Sequence, residues 1–314
     1  MLLEQFRSFY ARHYPDDMEK QIEYFSIFGG LGWQIDIDKP LEELIVSVIL
    51  DNYGHLHNEL AALSLDEPEY SRLLHALAVG DRRLFSAFNR AGLNNRNGGA
   101  AIDFLQNNNI LEMQQSRETH PREKYPNQKI KREDARHRIS HKMRFTKPFI
   151  RFWFYFIVPY ARQIEVGNYE NVIKRFQTHQ NSYTSLVFEE LSELLLDYYT
   201  RDDQICTSGS YWDANVEIDI LAITKSLKIY VGECKWTNHK INKKELHKLL
   251  EKCTKLEISP NKVLLFSKRG FSKELLNNQG PTLALYSAED FSILLKNTSK
   301  NDLIEGFARP SLQF

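Results

Sequence analysis

Two short apolar runs, "VEIDILAI" (216–223) and "KIYVGECK" (228–235), joined by a turn around "TKSLK", constrain this chain more than any other stretch. Apolar residues at this spacing read as two paired strands, on which side chains two apart share a face. The alternation puts Glu217, Asp219, Leu221 and Ile223 on one side of the first strand, and Val216, Ile218, Ile220 and Ala222 on the other. On the second strand Ile229, Val231, Glu233 and Lys235 share a face, while Cys234 points away. Asp219 therefore approaches Glu233 and Lys235 at the end of the hairpin remote from the turn. Burying neighbouring carboxylates is costly unless a cation compensates. A divalent ion, Mg²⁺ or Mn²⁺, suits such hard oxygen ligands. Lys235 adds a positive charge able to hold an attacking water or steady a phosphorane oxygen.

With 314 residues the chain exceeds what one core usually organises, so two domains, or one with a long helical appendage, are expected. Lys+Arg and Asp+Glu are both 41, so any case for nucleic acid rests on local charge. Cys206, Cys234 and Cys253 show no CxxC spacing and are odd in number, which points to a reducing, cytoplasmic setting. The charged, amphipathic N-terminus is no secretory signal. "FIRFWFYFIVPY" (149–160) is too short to span a bilayer, contains Arg151, and reads as a buried helix.

Residues 1–28 read as helical with a break and N-cap at Tyr14–Asp17, and 40–54 as a helix opened by Pro40. "FGGLGW" is a Gly-rich turn, and no GxxxxGK[ST] phosphate loop occurs in the sequence. Helices near 67–79, 81–91 and 98–108, then "ILEMQQ", match the outline of a winged helix, with a flexible loop or β-wing over 115–140. A long aromatic helix is expected over about 147–164, and "SYTSLVFEELSELLLDYYT" as a strong amphipathic helix. From there the order is strand 216–223, strand 228–235, helix 242–257, strand 262–266, helix 272–277, strand 282–286 and helix 287–296. The fold class is α/β (α+β overall). Expected divisions are a helical and winged-helix region (1–148), an aromatic helix and linker (149–180) and a mixed domain (181–314).

Ile218-Asp219, thirteen residues, then Glu233-Cys234-Lys235, resemble the PD-(D/E)xK nuclease motif, with Ile218 in place of the leading Pro. The resemblance implies a restriction-endonuclease-like fold and an acidic residue on the preceding helix, for which "VFEEL" offers Glu189 or Glu190, Glu189 being favoured. "FTKPFIRFWFYFIVPY", "VFEEL", "GSYWDANVEIDILAI" and "VGECKW" look like the C-terminal domain of archaeal-type ATPases. "YFSIFGGLGWQIDIDKPLEELIVSVIL", "EPEYSRLLHALAVGDRR" and "AAIDFLQNNNILE" look like the helical lid and winged helix of the same proteins. The family's phosphate-binding core would precede these segments and the sequence does not contain it, which leaves ATP dependence open.

The implied function is metal-dependent hydrolysis of phosphodiester bonds, with DNA as the expected substrate. Asp219, Glu233, Glu189 and the carbonyl of Cys234 would hold one or two Mg²⁺ or Mn²⁺ ions; Lys235 would orient the nucleophile or stabilise the transition state. Glu217 is a further ligand or an exposed strand-end charge; Tyr211 and Trp212 cap the site, stack on a base, or belong to the core. Lys124, Lys129, Lys131, Arg132, Arg136, Arg138, Lys142, Arg144 and Lys147 form a basic stripe able to contact phosphates. Asn94, Asn95, Arg96 and Asn97 either reach bases or make a turn. The alternative is a catalytically inactive DNA-binding or adaptor protein that docks on a separate ATPase or self-associates, with "FIRFWFYF" as its contact if one face is exposed. His55/His57 and His137/His141 read as surface residues.

Overall fold

The computed structural model describes residues 2–118 and 139–296. Helices α1 (Leu2–His13) and α2 (Met18–Phe28) flank the expected break. Asp17 caps α2, its carboxylate accepting the Lys20 N–H at 2.7 Å. The helix expected over 40–54 is split into α3 (Leu41–Leu44), a π-helical turn over Ile45–Leu50 and α4 (Tyr53–Ala61).

Helices α5 (Pro68–Val79), α6 (Leu84–Ala91) and α7 (Asn95–Asn107) stand close to their expected places. An antiparallel pair follows, β1 (Leu111–Gln114) with β2 (Lys142–Phe145). The aromatic segment is not one helix. It runs as α8 (Pro148–Phe152), a π-helical turn over Trp153–Ile157, a 3₁₀ turn over Val158–Tyr160, and α9 (Ala161–Ile164). Pro159 explains the break: it has no N–H to give and its ring crowds the carbonyl one turn back. Phe149, Phe152, Trp153, Phe154 and Phe156 are all buried, so the segment builds core and offers no exposed docking face.

Helix α10 (Glu170–Tyr199) is continuous over 30 residues, so the expected boundary at 180/181 falls inside one element. After it come β3 (Ile205–Thr207), β4 (Tyr211–Trp212), β5 (Glu217–Ile218), β6 (Ile220–Thr224) and β7 (Ile229–Lys235). Then follow α11 (Lys243–Lys255), β8 (Lys262–Ser267), α12 (Lys273–Asn277), β9 (Leu283–Ser287) and a 3₁₀ segment over Ala288–Leu295. The main sheet has the order β3-β6-β7-β8-β9. Strands β6 and β7 pair antiparallel, with Ile220 opposite Gly232 and Leu221 opposite Val231. β7, β8 and β9 run parallel, and α11 makes the crossover that a parallel pair needs.

Both sheet faces are covered. On one side α10 packs Phe188, Leu191 and Leu195 in a core with Ile220, Ala222, Cys234 and Phe266. On the other, Leu249 and Cys253 of α11 pack with Ile218, Leu221, Val231 and Leu265. Each fully buried Leu, Val or Phe of this kind contributes about 1.5–3 kcal/mol. The strand expected over 216–223 is interrupted: the chain bends at Asp219 between β5 and β6. The bend shifts the alternation by one. Val216 and Ile218 therefore share a core with Leu221, while Ile220 and Ala222 enter the opposite one.

Candidate functional site

The bend at Asp219 breaks strand pairing and turns a partly buried carboxylate towards β7. Its Oδ2 accepts the Cys234 N–H at 2.7 Å. Glu233 follows the buried Gly232 on β7 and is itself buried. Its two oxygens are held separately: Lys235 Nζ donates to Oε1 at 2.6 Å and Lys252 Nζ donates to Oε2 at 2.7 Å. Lys235 Nζ also lies 3.9 Å from Glu245. Glu189 of α10 lines a cavity of about 10 Å³ with Asp219, Arg82, Arg144 and Glu190.

Desolvation by burial pushes the Asp219 carboxyl well above the usual carboxylate range, and the charges of Glu189 and Glu233 push it further. Glu189 is also raised, by burial first; Arg82 opposes this, while Glu217 and Glu190 add to it. Burial would lower Lys235, but Glu233, Asp219 and Glu245 outweigh it, and the ammonium is held above its ordinary value. Asp219 thus feels Glu189, Glu233 and Lys235, and Lys235 feels Glu233, Asp219 and Glu245. Cys234 contributes its N–H, while its thiol sits in the core under α10 and is raised by burial.

Carboxyls raised by burial and by neighbouring carboxylates are groups that a hard cation would relieve. Among the described residues, however, no group of three or more His, Cys, Asp and Glu side chains could hold a metal ion. Two lysines hold both oxygens of Glu233, and the bond from Cys234 takes one oxygen of Asp219.

Several expected site residues have other places. Glu217 is half-exposed and paired with Lys142, with Arg83 Nη2 at 3.9 Å, so it serves an ion pair rather than the Asp219 group. Lys142 and Arg144, expected to face phosphates, turn inward. Lys142 is buried against Glu217 and lies 4.7 Å from the Trp212 ring centre. Arg144 reaches Glu190 at 3.0 Å and Glu193 at 3.2 Å. The cause is the pairing of β2 with β1, which presses its basic side chains against the acidic side of α10 and β5. Lys147 is also buried. Lys124, Lys129, Lys131, Arg132, Arg136, Arg138 and His137 lie outside the described residues. Trp212 is a core residue whose indole N–H donates to the Ser140 carbonyl at 2.9 Å. Asn94 caps α7 by accepting the Asn97 N–H at 2.8 Å, and Asn95, Arg96 and Asn97 are exposed.

Residues 153–249 match the DUF234 family, described as archaea bacterial proteins of unknown function. The span holds Glu189, the bent hairpin with Asp219, Glu233 and Lys235, and most of α11, and it agrees with a C-terminal region of the archaeal-type ATPases. No curated protein and no solved structure matches the chain.

Two neighbours of the site escape sequence reading. Arg82 enters from the turn before α6 with φ +63°, its guanidinium buried 4.0 Å from Glu190. Lys252 sits on α11, one helix beyond the motif. Its signal is spacing: Glu245 and Lys252 are seven apart, two turns on one helix stripe, and both reach the Glu233–Lys235 pair.

Proposed function

We propose that this chain is a metal-dependent nuclease that hydrolyses phosphodiester bonds of nucleic acid, DNA in the first place, on a PD-(D/E)xK-type site. The observation that carries this is the placement of Asp219 at a strand bend, beside Glu189, Glu233 and Lys235, with its carboxyl held well above the ordinary range. A carboxyl perturbed by burial together with specific charged neighbours is a candidate functional group.

Asp219, Glu189 and Glu233 would hold the cation, Mg²⁺ or Mn²⁺, which when bound activates water and offsets charge on the scissile phosphate. The Cys234 N–H fixes one oxygen of Asp219. The Lys235 ammonium, its side chain 31% exposed, would orient a water or steady the negative oxygen of the transition state. Winged-helix recognition through α5–α7, and phosphate contacts from the basic residues between 124 and 138, belong to the same proposal.

The test is cleavage of plasmid and single-stranded DNA in Mg²⁺ or Mn²⁺. Lys235→Ala is expected to lose roughly 10²-fold in rate, the order found when one preorganised charge is removed from a transition state. Cleavage by Lys235→Ala equal to wild type contradicts the assignment.

One observation favours a non-cleaving protein that binds DNA, docks on a separate ATPase or pairs with a second copy. Arg82 and Arg144 stand on the carboxylates of α10, where their guanidiniums compete with a cation. Absence of metal-dependent cleavage together with DNA or partner binding would select it.

A further inference from the structure

Resting on the nucleic-acid reading above, but not on the cation, we propose that the lysine stripe of α11 is a docking surface for the phosphate backbone of DNA. Helix α11 carries Lys243, Lys244, Lys248, Lys252 and Lys255 against Glu245 and Glu251, a local surplus on a chain whose charges cancel. At about 100° per residue, Lys244, Lys248, Lys252 and Lys255 fall within one arc of roughly 80°. Leu249 and Cys253, on another side of the helix, fix it in the second core, and Lys244, Lys248 and Lys255 stand exposed. The helical rise puts Lys255 about 16 Å beyond Lys244. Over that length one strand of a duplex carries about five phosphates. The stripe borders the candidate site: Lys252 holds Glu233 at 2.7 Å, and Glu245 lies 3.9 Å from Lys235.

Two features set this stripe apart from an ordinary solvated helix face. Its charge is not spent within the fold, as that of Lys142 and Arg144 is. Among the described residues Lys244, Lys255 and Lys240, in the loop before α11, have no carboxylate partner. Lys248 meets Glu245 at 2.7 Å in an exposed pair of the weakly held kind. Secondly, Lys243 and Lys244 open α11, whose N-terminal end is already positive. Cations in a first turn work against the helix, and the same end draws phosphate. The alternative polyanion, an anionic lipid surface, calls for large apolar residues beside the lysines. Leu250 is 39% exposed on this helix but stands about 120° or more round from the stripe. Charge without a neighbouring apolar anchor suits a nucleic-acid backbone.

The experiment is fluorescence anisotropy with a labelled DNA duplex in EDTA, over a series of salt concentrations. It compares wild type, the stripe variant Lys244→Gln/Lys248→Gln/Lys255→Gln, and a charge-matched control, Lys39→Gln/Lys174→Gln/Lys225→Gln, at exposed positions elsewhere. Gln keeps the helix propensity of Lys. Each phosphate contact contributes about 0.9 to the slope of log K against log salt. Between 50 and 200 mM salt, wild type is therefore expected to weaken roughly 40-fold more than the stripe variant. The control is expected to follow wild type. A stripe variant with the wild-type slope, or a control that loses as much, overturns this inference alone. Absence of DNA binding by wild type at low salt overturns the nucleic-acid reading and this inference with it. Stripe-dependent binding without cleavage in Mg²⁺ or Mn²⁺ upholds this inference and overturns the nuclease reading. Stripe-dependent binding to phosphatidylserine vesicles, with none to DNA, overturns the nucleic-acid occupant.

Discussion

Asp219 carries a cost that the rest of the fold tolerates. Burial, then Glu189, then Glu233, hold its carboxyl above the unfolded value, and Glu189 is raised as well. A carboxyl raised on folding binds its proton more tightly in the native state. Its contribution to stability is whole below the unfolded value near 4 and is lost as pH rises through the folded value. Without divalent cation, these two groups therefore make the protein less stable as pH climbs from about 4 to neutrality. Asp219→Asn keeps an acceptor for the Cys234 N–H and removes the charge. It is expected to melt at least about 2 °C above wild type at pH 7.5, the shift that roughly 1 kcal/mol gives in a large domain. It should also show a flatter dependence of Tm on pH. Scanning fluorimetry in EDTA across pH 5–8 checks this, and a variant melting at or below wild type at pH 7.5 contradicts it. Asp219, Glu233 and Lys235 were legible in the sequence because strand periodicity and short separation place them together. Lys252 and Arg82 were not, because they arrive from elements whose docking no local pattern encodes.

At the scale of elements, the strands and helices after residue 216 could be read almost residue by residue, since their apolar spacing and turns are local signals. The bend at Asp219 could not: alternation assumes an unbroken strand, and the break puts Val216 and Ile218 in the core of Leu221 instead of that of Ile220 and Ala222. The broken aromatic helix could have been foreseen from Pro159. Helix α7 makes a sharper case. A Cβ on Gly98 would stand 2.6 Å from Cδ1 and Cε1 of the buried Phe88 ring, so α6 and α7 pack at glycine distance. Alanine in place of a helical glycine ordinarily stabilises by about 1 kcal/mol. Here overpacking costs about 1–3 kcal/mol and reverses the sign. Gly98→Ala is expected to lower the urea midpoint with an unchanged m-value; a raised midpoint contradicts the close packing of these helices.

Across the whole molecule, one apolar core runs from Phe6 of α1 through α10 to Leu294, and a second lies under α11. The expected division at 148 and 180 is therefore not a division of cores. Composition and length suggested separate units, but which helices share an interior is a tertiary fact. The same docking brings Arg82, Arg83, Lys142 and Arg144 from the N-terminal elements onto Glu190, Glu193 and Glu217. The central claim is that the acids around the bend gather on a divalent ion, and anomalous scattering from crystals soaked in Mn²⁺ locates such an ion directly. The account predicts one peak or more within bonding distance of Asp219 and Glu233. Well-ordered side chains with no peak there, and Glu233 still held by both lysines, would contradict it.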